Sequence, residues 1–356
     1  MTAWHNLCAC LTKHLFAYLY KKEMEQVETD LKKTFKKTKR RIMFSVFVVL
    51  TAIASLATVI CYQIIQVEAY SRYMGIKTVS TEKVSKIIRG IEINANNVFE
   101  EISESLDSSE EVVAALKSKA ALNLDVRGYF AAFTPNYFPE KGEWFEPYVF
   151  QPDYGGFEYR QIGSARHNYT KSGWYIRAKE KSESFWADPY YYYDGTSMSG
   201  HYTTFIKPIY DAKGDLACVC GADMKFEWLA KELKWIDESN KSSKILNKFK
   251  ITSDPNFYTV ILNKDGTCLA HPEEMEVSIN DSIILRELQQ RKSGIANTNI
   301  NGEACTVIYG PVEFIDWSVA VVVPQKDIIK PMLPIAILLF SMVIVGMIIV
   351  WFICKR

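Results

Sequence analysis

No Asp, Glu, Lys or Arg occurs between Ile42 and Gln66, and none between Pro331 and Cys354. At about 1.5 Å of rise per residue, each run makes roughly 35 Å of helix, enough to cross a hydrocarbon core of about 30 Å. A wholly cytosolic enzyme is thereby excluded. Cysteine is also scarce, and only Cys218, Cys220, Cys268 and Cys305 lie between the two runs. Four thiols in so large a region do not make a disulfide framework. Cys218 and Cys220 are two apart on an expected strand and point to one face, a poor geometry for bridging each other. Cys268 and Cys305 fall on expected strands of one small sheet, as either a bridge or two buried free thiols. Hydrolytic and nucleotide signatures are missing too. Gly195–Gly200 reads G-T-S-M-S-G rather than G-x-S-x-G, and no H-E-x-x-H, P-loop or dinucleotide fingerprint is present. The chain is not expected to be an enzyme, and no cofactor is implied.

Charge is present, but sorted. Residues 1–41 carry ten Lys/Arg and four acids, and Lys355 and Arg356 close the chain. Residues 67–330 carry 30 basic and 37 acidic residues, a surplus of acid that argues against nucleic-acid binding. The positive-inside rule puts both basic flanks in the cytoplasm and the middle outside, in a bacterial inner membrane crossed twice. Ala52–Ala54 has the spacing of a signal cleavage site, but it lies inside the apolar run, which reads as an uncleaved anchor. Leu7, Leu11, Leu15, Tyr18 and Leu19 recur at helical spacing ahead of the basic run 32–41. That helix suits the inner leaflet, with the basic run near anionic lipid headgroups, or a role in topology alone. His5, Cys8, Cys10 and His14 are metal-ligand types. On a helix they fall in pairs on opposite sides, so no metal site is expected.

The expected order is a cytoplasmic tail (1–41), a first span (42–66), a long stalk helix (67–127), a first α/β module (128–223), a linking helix (224–254), a smaller α/β module (255–328), a second span (331–354) and a two-residue end (355–356). In the stalk, Val84, Ile88, Ile91, Ala95, Val98 and Ile102 step by three and four, a seam that packs on its own domain or on a second copy. Two spans and a seam favour a homodimer. Short alternating runs such as Tyr202–Ile209, Leu216–Cys220, Tyr258–Leu262, Ala304–Tyr309 and Trp317–Val323 read as strands. Asp194-Gly195, Lys213-Gly214, Asp265-Gly266 and Asn301-Gly302 mark turns beside them.

Several segments carry a resemblance. Gly173-Trp174-Tyr175 with Ala178-Lys179-Glu180, and Trp186-Ala187-Asp188-Pro189-Tyr190, are two of them. Lys207–Gly214 followed by Gly221-Ala222-Asp223-Met224 is a third; Asp265–Pro272 and Trp317–Val321 continue it in the second module. Their order resembles the double Cache (PAS-like) extracytoplasmic sensor domain of bacterial chemoreceptors, sensor kinases and membrane-bound phosphatase regulators. The resemblance implies an α+β fold with two PAS-like modules after a long helix, between two transmembrane helices. It also implies a small-molecule ligand in the membrane-distal module, with Asp223 as the acid that meets an ammonium group. The family's amino-acid binders carry an Arg two residues before the Trp, where this chain has Ser172, and a further acid where it has Tyr192. An α-amino acid is therefore not the expected ligand.

Trp174, Tyr175, Trp186, Tyr190, Tyr192 and Asp223 are the candidate ligand-binding residues. An aromatic wall with one carboxylate suits an amine or a flat aromatic ligand through cation–π and stacking contacts. The same aromatics would also serve as core, and Asp223 as a cap for the helix that follows. Tyr191 and Tyr193 alternate with Tyr190 and Tyr192, so one pair faces away. His271, before Pro272, reads as the close of a strand turn. The expected function is a membrane-anchored sensor that signals through its helices to a cytoplasmic partner in trans. A ligand-capture or surface-interaction protein is the alternative. Relatives continue past the second span into an output domain; this sequence stops two residues beyond it, as a sensor-only subunit or a shortened chain would.

Overall fold

The computed structural model describes residues 2–152, 154–192, 199–241, 256–272 and 277–355, with side chains from Tyr20 onward except those of Lys119 and Leu122. The side chains of His5, Cys8, Cys10 and His14, the turn at Asp194-Gly195, Tyr193 and the 242–254 part of the expected linking helix lie outside them. The chain divides into a membrane unit, Met1–Val67 with Ile329–Arg356, and a folded unit, Glu68–Ile328.

In the membrane unit, helix α1 (Thr2–Glu104) carries the first apolar run and a C-terminal helix, Met332–Lys355, the second. Only 6% of the apolar window of either helix is buried, so nearly all of that surface is left for lipid. The two helices touch, with Leu50 against Gly346. Lys39 Nζ donates to the Cys354 carbonyl at 2.7 Å, so the basic flanks of both spans meet at one end.

The folded unit contains two antiparallel sheets. The first orders its strands β3-β2-β1-β7-β6-β4, with β5 also paired to β6. These are β1 Gly128–Phe133, β2 Pro147–Phe150, β3 Glu158–Gln161, β4 Phe185–Trp186, β5 Tyr190–Tyr192, β6 Gly200–Tyr210 and β7 Leu216–Lys225. The second sheet runs β10-β11-β12-β8-β9, from β8 Tyr258–Asn263, β9 Cys268–Ala270, β10 Gly294–Ile300, β11 Glu303–Pro311 and β12 Trp317–Pro324. Asn301 and Gly302 both have positive φ, the geometry of a two-residue hairpin turn, and set the β10–β11 register.

The stalk expected as one helix to residue 127 is two. α1 stops at Glu104, and α2 (Ser109–Lys119) begins after Ser108, whose hydroxyl accepts from the Glu111 N–H. Ser and Asp compete with the helix for backbone hydrogen bonds, and the Ser105–Ser109 stretch breaks the run on that account. The linking helix, α4 (Phe226–Lys241), starts at Phe226 rather than 224, because β7 extends to Lys225.

The 84–102 stripe of α1 packs inward. Val84, Ile88, Ile91, Ala95, Val98 and Ile102 are at most 1% exposed and join one core with Cys218, Cys220, Ala222 and Met224 of β7 and Leu229 and Leu233 of α4. Each buried Ile contributes roughly 1.5–3 kcal/mol, so the stripe is part of the domain's own core and not a free dimer seam. Cys218, Cys220, Cys268 and Cys305 are free thiols, which resolves the Cys268–Cys305 alternative. Cys218 and Cys220 do share a face, their sulfurs 3.7 Å apart. His271 is buried against Tyr258 at the end of β9.

Candidate ligand-binding site

A strand's side chains alternate between faces. Along β7, Cys218, Cys220, Ala222 and Met224 face α1, so Val219, Gly221 and Asp223 face the other way. On that outer face Phe130, Tyr148, Phe150 and Val219 meet Tyr175 and Ala178 of helix α3 (Gly173–Lys181). The packing is incomplete. A cavity of about 380 Å³ remains, within the range of small-molecule sites.

Asp223 lies on its floor, buried, within hydrogen-bonding reach of three hydroxyls. Thr204 Oγ1 donates at 2.6 Å, the Tyr148 hydroxyl at 3.0 Å and the Tyr190 hydroxyl at 3.4 Å. Burial pushes its carboxyl up to about 6, although the three hydroxyls pull the other way. Asp223 sits inside β7, so its side chain does not cap α4. Tyr148 reaches Asp223 by lying over Gly128, where any Cβ would collide with the ring.

Glu146, just before β2, borders the same cavity and is 1% exposed. Its N–H donates to Gln161 Oε1 at 3.2 Å, but its buried Oε2 has no hydrogen-bond partner among the described residues. His167 Nε2 is 3.5 Å away, with burial holding that imidazole below its ordinary value. Burial, and then the charge of Asp223, hold the Glu146 carboxyl well above the usual range. The walls are aromatic: Trp174, Tyr190, Tyr192, Tyr202 and Phe130. No Lys or Arg lines the cavity among the described residues.

Trp174, Tyr190, Tyr192 and Asp223 thus converge as the sequence suggested, and Tyr191 points outward, as the alternation requires. Tyr175 and Trp186 do not join them. A helical residue turns about 100° from its neighbour, so with Trp174 at the cavity Tyr175 is driven into the core, edge-on to Trp174 and beside Tyr169. Trp186 faces α1, where its Nε1 donates to Glu92 Oε1 at 2.9 Å and its ring meets Phe205. Trp186 instead borders an open groove of about 630 Å³, whose acids Glu92, Asp188 and Asp316 face the bases Arg177, Lys264 and Arg291. That groove has no net sign to select a ligand. Glu146, Tyr148, His167, Tyr202 and Thr204 were not among the candidates. The alternation of β2 puts Glu146, Tyr148 and Phe150 on one face, but only its pairing with β1 brings that face to Asp223. No cluster of three or more metal-ligating side chains occurs among the described residues.

The profile of the Cache domain family matches residues 19–332. The chain belongs to the Cache-domain family. Solved Cache-like folds agree. The extracellular domain of soHK1S-Z6, assigned as a histidine kinase, superimposes with a TM-score of 0.57 at 20% identity, covering 75% of this chain and 98% of its own. The periplasmic sensory domain of the Campylobacter jejuni chemoreceptor Tlp1 gives 0.60 at 15% identity, covering 75% and 99%. A search of curated proteins finds no match. This Cache protein has the sensor fold of those receptors, flanked by two transmembrane helices.

Proposed function

We propose that the protein is a two-pass membrane sensor whose distal Cache module binds a small organic cation. One observation carries the reading: Asp223 sits buried among hydroxyls and aromatic faces in a cavity with no Lys or Arg in its lining among the described residues. A carboxylate there is stabilised by an incoming ammonium, and Trp174, Tyr190 and Tyr192 add cation–π attraction. Both basic flanks fall on the cytoplasmic side by the positive-inside rule, and the Lys39–Cys354 contact supports a shared end. The folded unit is then extracytoplasmic, and the basic tail is the segment offered to a cytoplasmic partner and to anionic lipid.

Transmission runs through β7. Asp223 lines the cavity on one face of the strand, while Cys218, Cys220, Ala222 and Met224 on the other join the core of the buried α1 stripe. A ligand that prefers one packing of β7 on α1 shifts that helix by its difference in affinity for the two states. Any homodimer contact uses a surface other than the 84–102 stripe.

The test is a thermal-shift screen of the full chain in detergent against primary amines, quaternary ammonium compounds, neutral aromatics and carboxylates. Amines raise the midpoint by mass action, and Asp223→Asn or Trp174→Ala weakens them by at least about tenfold while both variants stay folded. Hits confined to carboxylates or neutral aromatics would overturn the cation reading.

A further inference from the structure

The hydroxyls around Asp223 account for one pole of the cavity. Glu146 is a second acid that they leave unexplained. Register locates it: Asp223 pairs with Gly128 of β1 and Tyr148 pairs with Phe130, so Glu146, two residues before Tyr148, stands opposite Ala132. The two acids are therefore four β1 positions apart, roughly 13 Å along the strands and about 10 Å across them because β7 and β2 flank β1, on one face with Tyr148 between. The inward reach of both side chains shortens that span. We propose that Glu146 is a second anionic subsite, so that the ligand is a short organic dication with one cationic nitrogen at Asp223 and the other at Glu146. This rests on the cation reading of Asp223 and adds the ligand's second charge.

The argument is one of unmet hydrogen bonding. A buried carboxyl oxygen without a donor is costly, and natural cores rarely leave one bare. The groups facing Glu146 do not meet the need. Gln161 contacts its backbone N–H, Tyr169 donates its hydroxyl to the Phe133 carbonyl, Asp223 is a second acid, and His167 Nε2 stands 3.5 Å from Oε2 without a hydrogen bond, its charged form disfavoured by burial. Burial and the charge of Asp223 favour the protonated form of Glu146. An ammonium at Oε2 supplies the missing donors, and Glu146 then releases that proton to solvent.

Calorimetry of the full chain in detergent decides the matter, with linear diamines of three to six carbons and the matching monoamines as probes. At least one diamine should bind about tenfold more tightly than its monoamine, and Glu146→Gln should erase that advantage. Repeating the wild-type titration in buffers of different ionisation enthalpy needs no variant. Diamine binding should release more protons than monoamine binding near neutral pH. Equal affinity and equal proton release for both classes would overturn the second subsite while leaving the cation reading standing. Failure of both classes to bind would overturn both.

Discussion

The two sheets of the folded unit use similar means to opposite ends. The outer face of the second sheet is closed by helix α5 (Ser282–Gln289), with Val260, Leu262, Ile284, Leu288, Val307 and Val322 filling the layer. The outer face of the first sheet is covered by α3, whose first turn brings Trp174, and beneath it lie Asp223, Glu146 and a cavity. Aliphatic side chains interlock to crystal-like density, whereas large rings with polar tips leave gaps when acids are set among them. The comparison teaches that the second sheet is organised for stability and the first gives up packing to keep buried charge reachable.

The largest expected effect breaks that comparison at its stable side. Leu262→Ala, at a fully buried position, should cost about 2–5 kcal/mol in unfolding free energy without changing amine affinity. Trp174→Ala, on a half-buried cavity wall, should cost less and remove amine binding. A Leu262→Ala chain with altered affinity and unchanged stability would reverse the assignment of the two sheets.

An intermediate effect comes from pH. Among the described residues, Asp223 is one of two buried acids held up to about 6. The other is Asp237 of α4, which burial raises although it accepts from the Thr259 N–H at 2.8 Å and hydroxyl at 2.6 Å. The folded form holds each proton more tightly than the unfolded form. Each group's stabilising contribution is therefore full below its ordinary carboxyl value and lost as pH rises through about 6. Acidifying the unliganded chain from about pH 7.5 to about pH 5 should raise the unfolding free energy by about 1 kcal/mol from each group. Asp237→Asn should remove one share, and a saturating amine should remove the Asp223 share alone. A midpoint in which Asp223 and Asp237 respond alike to amine would break the distinction between sensing and structural acids.

The smallest effect is at Trp186. Trp186→Phe removes the hydrogen bond to Glu92 of α1 and should cost about 1 kcal/mol. Amine affinity should not move, because Trp186 lies outside the cavity. A loss of affinity by isothermal titration would mean that β4 acts on the site through α1.

The two charge-free runs, the sorted basic flanks and the turn at Asn301-Gly302 were legible from local pattern alone. Asp223 as an acid of the site was legible only from the family motif around it, and its place inside β7 rather than at a helix start was not. Glu146 was not. It lies in an irregular segment before β2, and its relevance exists only through pairing with β1, a contact between residues far apart in sequence. Tyr175 and Trp186 were misplaced for a related reason: a motif places residues in the neighbourhood of a site, but side-chain direction within one helical turn or on an edge strand decides whether they line it.

Sequence by itself determined that this chain crosses a membrane twice, carries a Cache-type domain between the spans and sets aromatics and acid in the first module of that domain. Those properties follow from hydropathy, charge and local periodicity, which act over a few residues or a helix length. The tertiary structure alone decided that the α1 stripe belongs to the domain's own core and that Asp223 and Glu146 share a cavity. Both depend on which faces the sheets present to their neighbours, and those faces are set by long-range pairing and by the volume each side chain fills.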